Sequence, residues 1–150
     1  MNFRALVLIL MVALLTAFAA TSVHADEKQG LFVNLTTDDT WSASKAIFFA
    51  HHRVLKSGHE PVAIWLNVRG IYLADRKRAS DVHGPMAEKG QSIHDLLQAF
   101  IKDGGRVIAC AACSRAAGLT TADFIEGVEM GNPDLVLGIL FDPNVKTLTW

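Results

Sequence analysis

The sequence predicts a single α/β domain built on a mainly parallel sheet of about five strands, with helices on both faces. Short apolar runs rich in β-forming residues alternate along the chain with segments whose apolar residues recur at helical spacing. The apolar runs are continuous, which is typical of strands that are buried on both faces of a sheet. Glycine and proline stand between most of these segments and separate one element from the next.

The first strand is predicted at Gly30–Leu35, where the chain reads GLFVNL. Thr37, Asp38 and Asp39 follow, and side chains of these types cap helices. Over residues 40–57 the apolar side chains recur with the period of a helix that packs one face on a core. That helix is expected to end at Gly58.

A second buried strand is predicted at residues 61–68, which read PVAIWLNV. Residues 69–91 are the least regular part of the chain, with a short helix expected at residues 71–74. Ser92 and Asp95 have the spacing of a capping box, which predicts a helix from that point to Gly104.

The last third of the chain is predicted to add three strands and one helix. A strand at Arg106–Ala109 leads into a loop, and Thr120 with Asp123 predicts the start of a short helix. The apolar run at residues 135–141 predicts a fourth strand, and residues 146–150 predict a short last one. The short helix is expected to cover three apolar residues, Phe124, Ile125 and Val128.

Residues 1–25 are predicted to be a signal peptide that is cleaved after Ala25. Arg4 precedes an almost wholly apolar stretch, residues 5–20, and small side chains stand before the cut. The stretch is short for a membrane span, although an uncleaved anchor is the alternative. We therefore expect the mature domain, residues 26–150, in the periplasm of a Gram-negative cell, without a membrane span and among oxidants.

The charge of the chain is nearly balanced. It carries 14 Lys and Arg against 15 Asp and Glu, for a formal net charge of −1 with neutral histidines. This balance gives no basic surface that would favour nucleic acid or an anionic membrane as a partner.

The segment most informative about chemistry is Cys110-Ala111-Ala112-Cys113-Ser114-Arg115. Sites in parallel sheets form outside the carboxyl ends of the strands, and this segment directly follows a predicted strand. Backbone amides of a following helical turn and the nearby Arg115 would favour a thiolate at Cys110. Cys113 is close enough in sequence to resolve a mixed intermediate or to form a disulfide. A reactive thiol at Cys110 is therefore the favoured interpretation.

Two other interpretations of the cysteine pair are weaker. Two cysteines can supply half of a zinc site, but the histidines that would complete it have no ligand spacing, so no metal is predicted. Ser114 stands where covalent haem attachment requires a histidine. The pair could also be two small buried side chains without chemistry. The histidines considered are His51, His52, His59, His83 and His94.

Several other polar and aromatic residues have predicted positions in the fold or at the site. His51 and His52 are expected on the solvated side of the first helix, and Trp41 is expected to be partly buried in the core. The basic run at residues 76–78 is expected on the surface, or folded over the site as an attractant for an anionic sulfur compound. Two further expectations concern the site itself: a proton donor at His83, and hydrogen bonds to loop backbone from Asn34 and Asn67.

A family resemblance rests on the order of several motifs. The third strand ends in VIAC at residues 107–110, small residues follow, and Gly118 stands eight residues after the cysteine. Residues 123–129 look like the helix that follows in the family, and residues 37–39 fit its first strand–helix junction. On these motifs the sequence, over about residues 30–150, resembles the DsrE/DsrF-like family, which includes TusD-type and YchN-type sulfur-relay proteins.

The resemblance implies a small α/β layer structure and assembly as a homo-trimer or homo-hexamer. In the sulfur-relay members, the cysteine matching Cys110 carries sulfur as a persulfide, and this chemistry needs no metal or organic cofactor. Cys113 is an addition to the family pattern and suggests a resolving thiol or a reducible disulfide. The supporting residues expected around the pair are Arg115, Thr37, Asp38 and Gly118.

The sequence therefore predicts a periplasmic sulfur-handling protein, sulfurtransferase-like if it is active. Cys110 would carry or transfer sulfane sulfur, and Cys113 would release or protect it. The expected partners are small sulfur compounds or a partner thiol protein. A thiol–disulfide oxidoreductase and a non-catalytic module that binds a redox or sulfur compound remain the alternatives.

Overall fold

The computed structural model describes residues 28–81 and 90–150 as one α/β domain around a five-stranded sheet. All neighbouring strands are parallel, and their order across the sheet is β4-β3-β2-β1-β5. The strands are β1 (Gly30–Leu35), β2 (Val62–Leu66), β3 (Arg106–Ala109), β4 (Val128–Met130) and β5 (Val145–Thr149). The predicted fold class is confirmed.

Within the described residues, four α-helices accompany the sheet: α1 (Thr40–Phe48), α2 (Ile93–Lys102), α3 (Ala111–Ala116) and α4 (Pro133–Leu140). A π-helical segment, Phe49–Val54, and a 3₁₀ turn, Leu55–Ser57, continue α1 to the left-handed Gly58. Further 3₁₀ segments lie at Val68–Ala74 and Thr121–Asp123.

The predicted starts of two helices have the expected caps. The Asp39 side chain accepts a hydrogen bond from the Ser42 amide at the start of α1. Ser92 and Asp95 form both bonds of a capping box at the start of α2. These local bonds satisfy amides that a helix leaves without partners at its beginning, so the chain positions of both helices follow from the sequence.

Helices cover both faces of the sheet, but the apolar core is larger on one face than on the other. On one face, α1 and α2 bury a large apolar core that includes Val33, Ile64 and Val107. On the other face, α4 covers a smaller cluster around Phe32 and Ile108. Because both faces are covered, the strands are buried on both sides, as their continuous apolar sequences predict.

Two predicted elements have the wrong type. Residues 135–141 were expected to form a strand, but they lie largely in α4, where Asn132 caps the helix and Pro133 occupies its first turn. A short apolar run fits either a buried strand or a helix, and here the chain forms a helix that begins at the Asn-Pro pair and packs on Phe32 and Ile108.

The helix predicted from Thr120 is a single 3₁₀ turn. Thr120 and Asp123 do form the expected capping box, but the chain then extends and Val128 pairs with Val107 in the sheet. Gly127, with φ of +83°, turns the chain into β4. The sheet thus keeps five strands, although two of the elements exchange their types.

The predicted leader at residues 1–25 and His83 lie outside the described residues. Across residues 28–81 and 90–150, no helix has the length and apolar character needed to cross a membrane.

Candidate functional site

Cys110 lies at the carboxyl edge of the sheet, next to the end of β2. Leu66 is paired in register with Ala109, so Asn67 and Cys110 leave the sheet side by side. The Cys110 amide donates to the Leu66 carbonyl at 2.9 Å, which fixes the cysteine backbone at that edge. This is the position at which parallel α/β sheets carry their sites, as the sequence predicted.

The Cys110 side chain is the N-cap of α3. Its sulfur accepts a hydrogen bond from the Cys113 amide at 3.3 Å. The Ser114 hydroxyl, itself buried, donates to the Cys110 carbonyl at 2.8 Å and ties the first turn together. Cys110 is 9% exposed, so the sulfur is held in place with only a small accessible surface.

Cys113 faces the loop after β2. Its thiol donates to the Asn67 side-chain oxygen at 3.2 Å, and its sulfur accepts from the Val68 amide at 3.3 Å. Burial, followed by the hydrogen bond with Cys110, raises the pKa of the Cys113 thiol. Both cysteines are free thiols, and these surroundings favour the protonated form of Cys113.

The prediction for Asn67 is confirmed, because its side-chain oxygen also accepts from the Val68 amide at 2.9 Å. Asn34 differs from its prediction: its side-chain oxygen accepts from the Asn67 amide group at 3.3 Å rather than bonding to loop backbone. Asn34 therefore acts on the site through Asn67, since it orients the side chain that binds Cys113.

Val68 is a feature of the site that the sequence analysis missed. It has φ of +49°, in the left-handed region that a β-branched residue rarely occupies, and it is exposed. In this conformation its amide lies toward both the Asn67 oxygen and the Cys113 sulfur. Backbone strain of this kind concentrates at functional sites. It could not be predicted here, because valine is not a residue type that favours the left-handed conformation.

An apolar cavity of about 350 Å³ opens beside Cys110. Trp65 of β2, the start of α3 and the first half of α4 form its walls, and Arg115 is the charged residue among them. The Trp65 indole nitrogen is buried and has no hydrogen-bond partner within the described part of the chain. The sequence did not predict this cavity, because α4 was expected to be a strand.

Of the predicted supporting residues, only Arg115 lines the cavity with Cys110. Gly118, with φ of +70°, lies just beyond the end of α3. Thr37 accepts a hydrogen bond from the Asp39 amide, and Asp38 forms a two-bond ion pair with Arg69, which lowers the pKa of the Asp38 carboxyl. The structure therefore places Arg115 on the same cavity as Cys110 but gives Thr37 and Asp38 contacts elsewhere.

Two predictions for aromatic residues are wrong. His51 is buried, because it lies four residues after Ile47 and so on the core side of the helix. Its ring nitrogen lies 2.7 Å from an Asp103 carboxylate oxygen, which satisfies the buried polar atom. Trp41, expected to be partly buried, is 63% exposed, since α1 buries Ala43 and Ile47 on its other side.

The basic run at residues 76–78 is exposed, as one of its two interpretations predicted. Arg76 donates to the Phe124 carbonyl, Lys77 pairs with Asp123, and Arg78 lies over the Tyr72 ring. None of the three side chains lines the cavity beside Cys110. Among the described residues, no group of three or more His, Cys, Asp or Glu side chains could hold a metal ion.

Comparison with known proteins decides the family. The model of the DsrE/DsrF-like family matches residues 20–138. The chain belongs to that family. The fold agrees with this membership, because the DsrE-like domain and the YchN protein of E. coli superpose with a TM-score of 0.61 at 18% identity, over 81% of this chain and 99% of that one.

Other relatives are more distant in fold or narrower in coverage. A protein of unknown function from Methanobacterium thermoautotrophicum superposes with a TM-score of 0.53 at 17% identity, over 81% of this chain and 99% of that chain. An uncharacterized protein of Methanopyrus kandleri is 36% identical over 87 residues, which are 57% of this chain and 66% of that protein. Membership of the DsrE/DsrF-like family indicates sulfur relay as the general area of function.

Proposed function

We propose that this protein carries sulfane sulfur as a persulfide on Cys110 and passes it to an acceptor thiol, with Cys113 as a resolving thiol. The observation that carries the proposal is the unequal placement of the two sulfurs. Cys110 lies on the wall of a cavity, and its sulfur accepts a hydrogen bond from an amide. Cys113 does not line the cavity, and its thiol donates a hydrogen bond to the Asn67 side-chain oxygen.

The hydrogen bond that the Cys110 sulfur accepts from the Cys113 amide supports the role of Cys110 as the nucleophile. An N–H donor stabilises a negative sulfur more than a neutral one, so it favours the thiolate that attacks sulfane sulfur. The Cys110 thiolate attacks the outer sulfur of a donor persulfide, a new S–S bond forms at Cys110, and the donor leaves as a thiolate. An acceptor thiolate then attacks the same outer sulfur and restores the Cys110 thiolate.

Cys113 supplies a second way to release the sulfur. Its thiolate can attack the Cys110 sulfur of the persulfide, which forms a Cys110–Cys113 disulfide and expels sulfide. The sulfane sulfur is reduced in this step and the protein is oxidised, so a dithiol partner must then reduce the disulfide. The raised pKa of Cys113 lowers the fraction of its thiolate, which disfavours this path relative to transfer to an acceptor thiolate.

The location and assembly of the protein belong to the same proposal. We infer that the chain is exported to the periplasm, that the leader is cut after Ala25, and that residues 26–150 assemble as a homo-oligomer. The apolar stretch at residues 5–20 supports export. The exposed apolar side chain of Phe141, at the end of α4 and outside the cavity lining, supports assembly of copies.

Intact mass spectrometry tests the proposal. The protein, expressed from its full-length sequence in a Gram-negative host and purified from the periplasm, is treated with an organic persulfide or polysulfide. We expect the mass of a chain that begins at Asp26, and after treatment a gain of one sulfur atom. The Cys110→Ser variant should not gain this sulfur, whereas the Cys113→Ser variant should. Native mass spectrometry of the same sample gives the number of copies.

A different result would favour the alternative function. If the protein gains no sulfur but reduces insulin disulfides, and both Cys110→Ser and Cys113→Ser abolish that activity, it is a thiol–disulfide oxidoreductase. If neither activity is found, persulfide carriage on Cys110 is wrong.

A further inference from the structure

We propose that the cavity beside Cys110 binds an organic persulfide with an apolar body and a carboxylate, and presents its outer sulfur to the Cys110 thiolate. This inference rests on the proposed function and names the donor class. It follows from the size of the cavity, the chemistry of its walls and the position of Arg115.

The size of the cavity suits an organic molecule. Its volume of about 350 Å³ falls within the range of pockets that bind small organic ligands. Two small side chains at the start of α3, Ala111 and Ala112, leave part of this space open. An inorganic donor such as thiosulfate has only a few heavy atoms and would leave most of the cavity unfilled.

The walls are mainly apolar. Trp65, Val136 and Leu137 contribute most of the large side chains, with Pro133 beside them. Burial of apolar ligand surface against such walls is favourable, whereas a small, strongly hydrated inorganic anion would lose water without gaining enough partners. The walls therefore favour a donor whose body is apolar.

Arg115 gives the cavity one positive charge. It is exposed and, among the described residues, has no ion-pair partner, unlike Arg69 with Asp38 and Arg106 with Glu129. An exposed guanidinium without an ion-pair partner is complementary to a carboxylate, which it can bind with two parallel hydrogen bonds. The charge thus selects an anionic group on the apolar body.

The reaction balances without an oxidant or a reductant. The Cys110 thiolate attacks the outer sulfur of R–S–SH, and the bond between the two donor sulfurs breaks. The outer sulfur and its proton stay on Cys110, and R–S⁻ leaves from the cavity. The number of disulfide-type bonds is unchanged, so the step is a transfer and not a net redox reaction.

The rate of sulfur loading on Cys110 tests the donor class. The donors are the persulfides of 4-(mercaptomethyl)benzoic acid, of benzyl thiol and of 2-mercaptoethanol, together with inorganic tetrasulfide. Each rate is divided by the rate of the same donor with free glutathione, which removes differences in intrinsic reactivity. We expect the benzoate donor to exceed the 2-mercaptoethanol donor and tetrasulfide by at least about tenfold after this correction.

Two matched pairs of variants test whether the donor binds in the cavity. Ala112→Leu fills the cavity, whereas Ala116→Leu places the same side chain at an exposed position of α3 outside it. We expect Ala112→Leu to reduce the preference for the benzoate donor over the 2-mercaptoethanol donor to about twofold or less, and Ala116→Leu to leave it unchanged.

The second pair tests the charge. Arg115→Gln removes the cavity cation, and Arg53→Gln removes an exposed arginine that does not line the cavity. We expect the parent to prefer the benzoate donor over the benzyl donor, Arg115→Gln to abolish this preference, and Arg53→Gln to retain it. All four replacements are at exposed positions, and thermal unfolding confirms that each variant is folded.

The outcomes separate this inference from the proposed function. Equal corrected rates for all donors, as expected if a second copy of the chain fills the cavity, would overturn the donor class and leave persulfide carriage intact. A preference that survives both Ala112→Leu and Arg115→Gln would also overturn it, because the donor would then bind elsewhere. Absence of sulfur on Cys110 with every donor would refute persulfide carriage itself.

Discussion

Cys110 and Cys113 are three residues apart in the sequence but have different surroundings. Cys110 accepts one amide hydrogen bond at the cavity wall, and Cys113 is held between Asn67 and Val68. The difference arises because α3 begins at Cys110, so one turn of helix directs the second sulfur toward the loop after β2. The spacing alone would fit a symmetrical dithiol, and the surroundings make the two thiols chemically different.

The pH at which Cys113 ionises is the first prediction. In a Cys110→Ala variant, Cys113 is the remaining cysteine of a chain that has two. Burial, the largest cause of the raised pKa, persists in this variant. We expect the thiolate absorbance near 240 nm to rise at a higher pH in the folded variant than in the same variant unfolded in guanidinium chloride.

The unfolded sample is the internal control for the prediction, because it contains the same thiol without burial. A midpoint in the folded variant equal to or below that of the unfolded chain would show that Cys113 is not protected as a thiol. The persulfide on Cys110 would then not be protected from early attack by Cys113.

At the scale of elements, the site depends on a close contact between the Val68–Ala74 segment and β1. An added Cβ at Gly70 would lie 2.1 Å from the Leu35 carbonyl oxygen, which is backbone and cannot move aside easily. The same carbonyl accepts from the Asn67 amide, so this contact positions the loop that holds Cys113. Glycine is therefore required here for space and not for a left-handed conformation.

Substitution of this glycine is the second prediction. Gly70→Ala should lower the free energy of unfolding by about 2 kcal/mol or more, because the new methyl group overlaps backbone. Gly138→Ala, in the exposed part of α4 where a Cβ meets nothing within 4 Å, should raise it by about 0.5 kcal/mol through helix propensity. Urea unfolding of both variants and the parent measures the two changes.

The pair is informative because the chemical change is the same in both variants. Equal stabilities of Gly70→Ala and the parent would mean that the Val68–Ala74 segment can move away from β1. The position of Asn67 against Cys113 would then not be fixed by this contact.

At the scale of the whole molecule, ion pairs connect elements that are distant in sequence. Arg106 and Glu129 join β3 to β4 through two hydrogen bonds, and Asp103 after α2 bonds both His51 and Lys56 of the first helical segment. Each of these partners lowers the pKa of the carboxyl group that it bonds. The pairs are largely at the surface, so each contributes little, and their effect is collective.

Loss of stability in acid is the third prediction. A lowered pKa means that the unfolded chain takes up a proton near the ordinary values, 3.8 for Asp and 4.5 for Glu, before the folded chain does. Stability from these pairs is therefore present above the ordinary values and is lost as pH falls through the lower values of the folded state. We expect the free energy of unfolding, measured in urea, to decrease steadily below about pH 5.

Two glutamate variants provide the comparison. Glu129→Gln removes a carboxyl group that is paired with Arg106 and should make the decrease shallower. Glu126→Gln removes an exposed carboxyl group outside the observed ion pairs among the described residues and should leave the slope unchanged. A decrease that is equally steep in both variants would contradict the role given to the Arg106–Glu129 pair.

The sequence by itself determined the elements that local physics specifies. Gly30–Leu35 and Arg106–Ala109 form strands at the predicted bounds, and Ser92 with Asp95 starts α2, because apolar runs, caps and glycine act over a few residues. The same local signals placed Cys110 at the edge of the sheet. Its position needed only the end of a strand and the rule for parallel sheets.

Only the tertiary structure decided the features that depend on residues distant in sequence. The run at residues 135–141 fits either a strand or a helix, and packing on Phe32 and Ile108 stabilises the helix. This helix, α4, then forms part of the wall of the cavity beside Cys110. The left-handed Val68 and the partners of Cys113 likewise arise where the end of β2 meets α3. The sequence thus placed the candidate thiol Cys110 at the edge of the sheet, whereas long-range packing determined the cavity beside it and the separate position of Cys113, since neither can be read from local spacing.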